Sequence, residues 1–308
     1  MATTAQAAPM PAIVPLRRAS AGLWSNAWYR LRRDRLTVAA SAVLLALMML
    51  SIAAPLLSAY VFGMSFEEQS LLKAYAAPTL DPPGYLLGSD EVGRSQVVRL
   101  FYGGQVSLFV GFVGMFMNFT IGVGLGLVAG FFRGFIDDAI TWFITTLNSI
   151  PLIFLLILIT TLFTPGAVTL TIIIGVLFWT GITNFVRGQT FALREREFVT
   201  AARTVGASNA RIMFRHILPN VLPLIFVLAA IDVGTIILAE SALSYLGLGI
   251  MPPTPSWGNM LTNASSYFNR AWWLVVSPGV MVFLTVLCLY LIGDGLRDAL
   301  DPRLKGAD

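Results

Sequence analysis

Six stretches of this chain, residues 36–57, 106–132, 140–163, 167–186, 221–239 and 272–292, are each about 20 residues long or more, and Asp232 is the only charged residue in any of them. A hydrocarbon core of ~30 Å takes about 20 helical residues to cross, and in lipid every backbone polar group must be satisfied inside the segment. Such a chain is expected to fold as an all-α integral membrane protein with six transmembrane helices. Its composition fits, with 12% charged residues against about one quarter in a soluble domain. Arg17, Arg18, Arg30, Arg32, Arg33 and Arg35 precede the first stretch. They resemble the basic start of a signal peptide, but the apolar run exceeds the usual ~7–15 residues of a cleaved leader, so it reads as a retained span.

Lysine and arginine set the orientation. If the N-terminus is cytoplasmic, sixteen of the 20 basic residues fall inside and only Lys73, Arg94, Arg99 and Arg270 fall outside. Both termini are therefore expected in the cytoplasm. The chain divides into a basic cytoplasmic segment, 1–35, whose Ala-, Pro- and Thr-rich start reads as disordered; the first span, 36–57; an extracytoplasmic segment, 58–105; a core with five further spans, 106–296; and a cytoplasmic tail, 297–308. A second long outer segment, 240–271, carries "GIMPPTPSWGNML", where proline forbids regular helix. Both outer segments suit a partner outside the membrane.

Several chemistries are excluded. Lys73 and Lys305, the only lysines, lack the glycine-rich context of a phosphate-binding loop, so ATP would have to be used by another chain and no cofactor is expected on this one. The basic residues form no stripe with interleaved aromatics, which argues against nucleic acid. Cys288 is single and His216 is the only histidine, leaving no metal cluster and no Ser-His pair in the membrane.

Inside the spans, Gly122, Gly126 and Gly130 recur every four residues beside Gly124, a spacing that lets another helix approach closely, either for packing or for sliding. Asp232 must face protein or water, because an Asp at a span centre costs about 2.5–3.5 kcal/mol. It reads either as a translocation-path residue or as the hydrogen-bond partner of Asn118 or Asn184. Glu240, at the outer end of the same span, reads as a mouth or loop contact.

The cytoplasmic loop 187–218, between the fourth and fifth spans, contains most of "REREFVTAARTVGASNARIMFRHILPN", residues 194–220, with five arginines and two glutamates in an otherwise greasy chain. Phe198, Ala201, Ala202 and Val205 follow helical spacing and predict one narrow apolar face. Gly206 supplies a helix stop, Asn209 an N-cap for a second short helix, and Pro219 an opening for the next span. A bulky lipid-binding face would carry Leu or Trp; small alanines suit a protein groove, and an ATPase is the natural occupant.

These residues resemble the cytoplasmic loop of ABC-importer permeases, whose pattern is Glu-Ala-Ala, three residues, Gly, nine residues, Ile, one residue, Leu-Pro. Ala201, Ala202, Gly206, Leu218 and Pro219 match in register; Thr200 replaces the Glu and His216 the Ile. "LLGSDEVGRSQVVRLFYGGQVSL", "AESALSYLGLGIMPPTPSWGNML" and "IGDGLRDALDPRL" are similar to the second permease subunit of dipeptide and oligopeptide importers, with Ser95 and Gln105 where Asp and Arg are common.

The resemblance implies a subunit of the inner (cytoplasmic) membrane paired with a second, homologous permease. It also implies two cytoplasmic ATPase subunits that use ATP and Mg, and an extracytoplasmic substrate-binding protein. The helix from Glu197 to Gly206, with Phe198, Arg203, Val205 and Ala207, would enter a cleft on an ATPase. Peptides are the expected cargo; relatives handle nickel chelates, opines, glutathione or oligosaccharides. A secondary transporter working without ATP would call for inverted repeats and relay charges, and the sequence offers one intramembrane Asp and no internal repeat.

Overall fold

The computed structural model describes residues 23–163 and 166–300. The tail up to residue 22, with Arg17 and Arg18, and the stretch with Arg303 and Lys305 lie outside the described residues. The described chain is built from helices: α1 (Leu23–Arg33), α2 (Arg35–Ile52), α3 (Gln96–Phe132), α4 (Phe135–Asn148), α5 (Leu152–Leu162), α6 (Ala167–Leu177), α7 (Trp179–Arg194), α8 (Glu197–Thr204), α9 (Leu218–Tyr245) and α10 (Trp273–Leu300).

The glycine column on α3 decides its neighbour. A Cβ on Gly122 would meet the Trp179 carbonyl and Ile182, one on Gly126 the Thr183 carbonyl and Val186, and one on Gly130 the Arg187 carbonyl and Thr190, all within 3.0 Å. Backbone-to-backbone approach of α3 and α7 therefore requires the missing side chains. The spacing serves packing within the subunit, and Gly124 has open space. Both series of numbers rise together, so α3 and α7 lie side by side and run the same way.

That direction settles the topology between them. Residues 140–163 are not one straight span. The helix stops at Asn148 and restarts at Leu152, bent by 82°, because Pro151 lacks an N–H and disfavours helical backbone at Ile150. Neither piece, of 14 and 11 residues, reaches ~30 Å at 1.5 Å per residue. Since α6 and α7 together form an apolar rod parallel to α3, the bent pair must bring the chain back across between them. With the five long apolar helices, it makes the sixth crossing.

Other boundaries shift for local reasons. α3 starts at Gln96, ten residues before the expected span, because the Ser95 hydroxyl caps it by accepting from the Val98 N–H at 3.3 Å. Asn209 is not the N-cap before α9; the Ser208 hydroxyl accepts from the Arg211 N–H at 3.3 Å and takes that role. Pro219 stands in the first turn of α9, as expected, but no gap precedes that helix. Asn209–Arg211 and a π-wound stretch, Ile212–Ile217, lead into α9 without a break, and the widened turn accommodates the proline where a regular turn would need its N–H.

α1 packs on α10, so the two ends of the described chain share one side of the bundle. At that same end, Gly295 of α10 approaches Thr37 of α2, and Gly293 approaches the Val227 carbonyl of α9.

Candidate functional site

The loop after α7 stands on a core of its own. Leu127, Phe131 and Val186 meet Val199, Ala202, Ile212 and Ile217 in one buried cluster. α8 ends in a double-bonded stop: the Gly206 N–H donates to the Arg203 carbonyl at 2.9 Å and the Ala207 N–H to the Ala202 carbonyl at 3.0 Å. Gly206 sits at φ +81°, the left-handed cap that favours glycine.

The face that α8 presents is not quite the expected one. Val199 is 0% and Ala202 7% exposed, whereas Phe198 is 41% and Val205 84% exposed. Ala202 therefore faces the subunit's own core, because Val199 and Ala202, three apart, form the inward arc. Phe198, Ala201 and Val205 form the outward arc, with Glu197, Thr200 and Arg203 also exposed. Ala207 packs against the core beneath, Leu218 is half-buried in the same cluster and Pro219 is exposed.

Charges that the sequence left unpaired bind this loop to the bent pair. Asp137, at the start of α4 and 6% exposed, takes a fork of two hydrogen bonds from Arg187 of α7, one from Nε and one from Nη2 at 2.8 Å. Arg133 pairs with Glu195 at 2.9 Å, and the Phe191 ring lies under Arg133 at 4.7 Å and Arg187 at 5.1 Å. Arg194 donates to the Phe131 carbonyl, and Arg203 stands 5.6 Å over the Phe131 ring. The only sequence signal for the fork was an Asp in the first turn of an apolar helix with an Arg at the same end of another.

Among the candidates within the spans, the Asn118 Nδ2 donates to Asp232 Oδ2 at 2.7 Å, joining α3 to α9. Asn184 is exposed and takes no part. Glu240 is not an exposed mouth residue: it is 0% exposed. Its carboxylate accepts from Ser107 of α3 at 3.0 Å and from Ser244 at 2.8 Å. The same two hydroxyls accept from the backbone of the proline-rich outer loop, Ser107 from the Trp257 N–H at 3.1 Å and Ser244 from the Ile250 N–H at 3.0 Å. Trp257 is pinned further by its indole N–H on the Leu100 carbonyl at 3.0 Å, over the space left by Gly104.

Glu240 thus ties that loop to both helices. Glu240→Gln keeps the volume but puts an NH2 where serine hydroxyls donate, and one stranded donor costs about 1–3 kcal/mol. The expected result is a lowered melting temperature in detergent with the outer loop cut faster by protease; unchanged values for both would contradict the cage.

Six crossings, with a capped surface helix at one end and a proline-rich loop pinned at the other, make this a membrane-spanning subunit. Residues 122–306 match the model for the binding-protein-dependent transport system inner membrane component, and residues 22–78 the N-terminal TM domain of oligopeptide transport permease C. The chain belongs to the family of binding-protein-dependent transport system inner membrane components.

It is 39% identical to the oligopeptide transport system permease protein OppC of Haemophilus influenzae, over 91% of this chain and 89% of that one. It is 36% identical to the dipeptide transport system permease protein DppC of Bacillus subtilis, over 94% and 89%. The fold resembles a chain of the MetNI methionine ABC transporter solved in inward-facing conformations, with a TM-score of 0.54 and 20% identity over 65% of this chain and 96% of that one.

Proposed function

We propose that this inner-membrane subunit is the permease of an ATP-driven importer of di- and oligopeptides, that it pairs with a second, related permease, and that two cytoplasmic ATPase subunits drive it with ATP and Mg. Its termini and α8 lie on the cytoplasmic side, as the arginine distribution favours. An extracytoplasmic binding protein delivers cargo to the opposite face. The observation that carries the reading is the outward arc of Phe198, Ala201 and Val205: a small apolar face, backed by a rigid core and stopped by Gly206, at the end of the bundle richest in arginine. The names of the 36–39% identical relatives support peptides as cargo.

In this scheme the permease makes no covalent bond. Closure of the ATPases on ATP moves α8, the Arg187–Asp137 fork carries α7's motion to the bent pair, and the path changes its open side. Asp232, held by Asn118, lines that path.

Reconstitution with the partner chains and uptake of a labelled panel of peptides, metal chelates and sugars tests the cargo. Uptake of peptides alone is expected, and uptake of another class in their place would overturn it. Asp232→Asn preserves the hydrogen bond from Asn118 but removes the charge. The complex should assemble in normal amount while peptide uptake slows; identical uptake kinetics would leave Asp232 a purely structural residue.

A further inference from the structure

α1 carries an exposed face that transport does not use. Ser25, Trp28, Tyr29, Arg32 and Arg33 are all exposed, at the i, i+3, i+4, i+7, i+8 spacing of one helix side, while Ala27 is buried and the helix packs on α10 and α2. An ordinary solvent face would be polar throughout. Here two large aromatics share it with two arginines, the Arg32 guanidinium 4.4 Å over Trp28 and that of Arg33 4.3 Å over Tyr29. Stacking occupies the flat side of a guanidinium and leaves its in-plane N–H donors for a planar or tetrahedral anion.

The position matches the composition. α2 follows at once with exposed Arg35, and Leu36 and Val38 begin its exposed apolar flank, so the aromatic and arginine face lies where hydrocarbon gives way to headgroups. Tryptophan and tyrosine gather at that level of a bilayer. Among the described residues, none of Arg32, Arg33 and Arg35 is ion-paired with a carboxylate. Asp34, between them, is engaged elsewhere: it accepts from the Thr37 hydroxyl and from the N–H groups of Leu36 and Thr37. Those bonds, the Thr37 hydroxyl first, hold its carboxyl below the usual range.

We infer that α1 is a docking site for anionic phospholipid headgroups, with Arg32, Arg33 and Arg35 donating to phosphate and the rings of Trp28 and Tyr29 seated at the interface. The site lies at the same end of the bundle as α8 but is separate from that helix and independent of its coupling role.

The test uses the purified full chain in detergent, offered equal amounts of phosphatidylglycerol and phosphatidylcholine, with bound lipid counted by native mass spectrometry and the lipid-induced rise in melting temperature read in parallel. The wild type should retain phosphatidylglycerol preferentially, at about fivefold per arginine near an anionic surface. Arg32→Gln/Arg33→Gln/Arg35→Gln should bring the ratio close to one, whereas the triple lysine replacement and Arg270→Gln on the opposite side should preserve most of it.

If the glutamine variant does not fold, the wild type still decides. Its phosphatidylglycerol-dependent rise in melting temperature should collapse between about 0.1 M and about 1 M salt. Equal retention of the two lipids by the wild type, or a salt-independent effect, overturns the site. Undiminished preference in a folded glutamine variant does so too and gives this face to a protein partner.

Discussion

Arg187→Ala is expected to destabilise the subunit by about 3 kcal/mol, the lower end of what removing one partner from a buried ion pair costs, because the Arg187 side chain is 29% exposed and that of Asp137 9%. The alanine leaves the Asp137 carboxylate buried against α7 with its fork of donors gone. Against a total stability of ~5–15 kcal/mol, a loss of that size is severe, and it falls on the joint between α7 and the bent pair. A marked drop in melting temperature in detergent is the expected result, and an unshifted transition would contradict it. The swap Asp137→Arg/Arg187→Asp should recover only part of the loss, because it places a cation at the N-terminus of α4, where the helix dipole favours an anion.

Phe198→Ala/Ala201→Arg is expected to abolish recovery of the ATPase subunits on co-purification while the permease itself inserts and melts as before. Both side chains are on the outward arc of α8, so shortening one and lengthening the other alters the docking face without touching the cluster around Val199 and Phe131. Ala202→Trp behaves differently. Ala202 is buried in that cluster, and a tryptophan there overpacks the core at a cost of about 1–3 kcal/mol or more, so its loss of ATPase would come with loss of fold. Normal ATPase recovery by Phe198→Ala/Ala201→Arg would remove α8 from the coupling role.

Much of the architecture was legible because lipid leaves a chain few options: the apolar segments are countable, and the glycine column announces a close helix contact. The stop at Gly206 was legible for a similar reason, since few residues adopt φ +81° without strain. What escaped depended on single groups. Helical periodicity marks Phe198, Ala201, Ala202 and Val205 as neighbours, but Val199 and Ala202 are neighbours too. Which arc turns inward depends on Ile212, in the next turn of chain, and on Phe131 and Leu127, which belong to another span far back in the sequence. The break before α5 comes from the one N–H that Pro151 lacks, which an apolar run conceals. Glu240 ends such a run and so looked exposed, yet its cage uses Ser107, 133 residues distant. At the short turn Asn209–Arg211, Ser208 and Asn209 are equally good caps by residue type, and only the backbone geometry selects the serine.

Coupling requires α8 to meet an ATPase through its outward arc, and photo-crosslinking in the assembled transporter tests that most directly. A benzophenone side chain is placed in turn at residues 201 and 205, at residue 131 as an inward control, since Phe131 is a buried aromatic of the same cluster, and at residue 72 as an outer control, since Leu72 is fully exposed in the outer segment. Illumination should join positions 201 and 205 to the ATPase chain, with position 131 giving adducts within the permease and position 72 giving none to the ATPase. Absence of ATPase adducts from both 201 and 205, in a complex that still hydrolyses ATP in response to cargo, would contradict it.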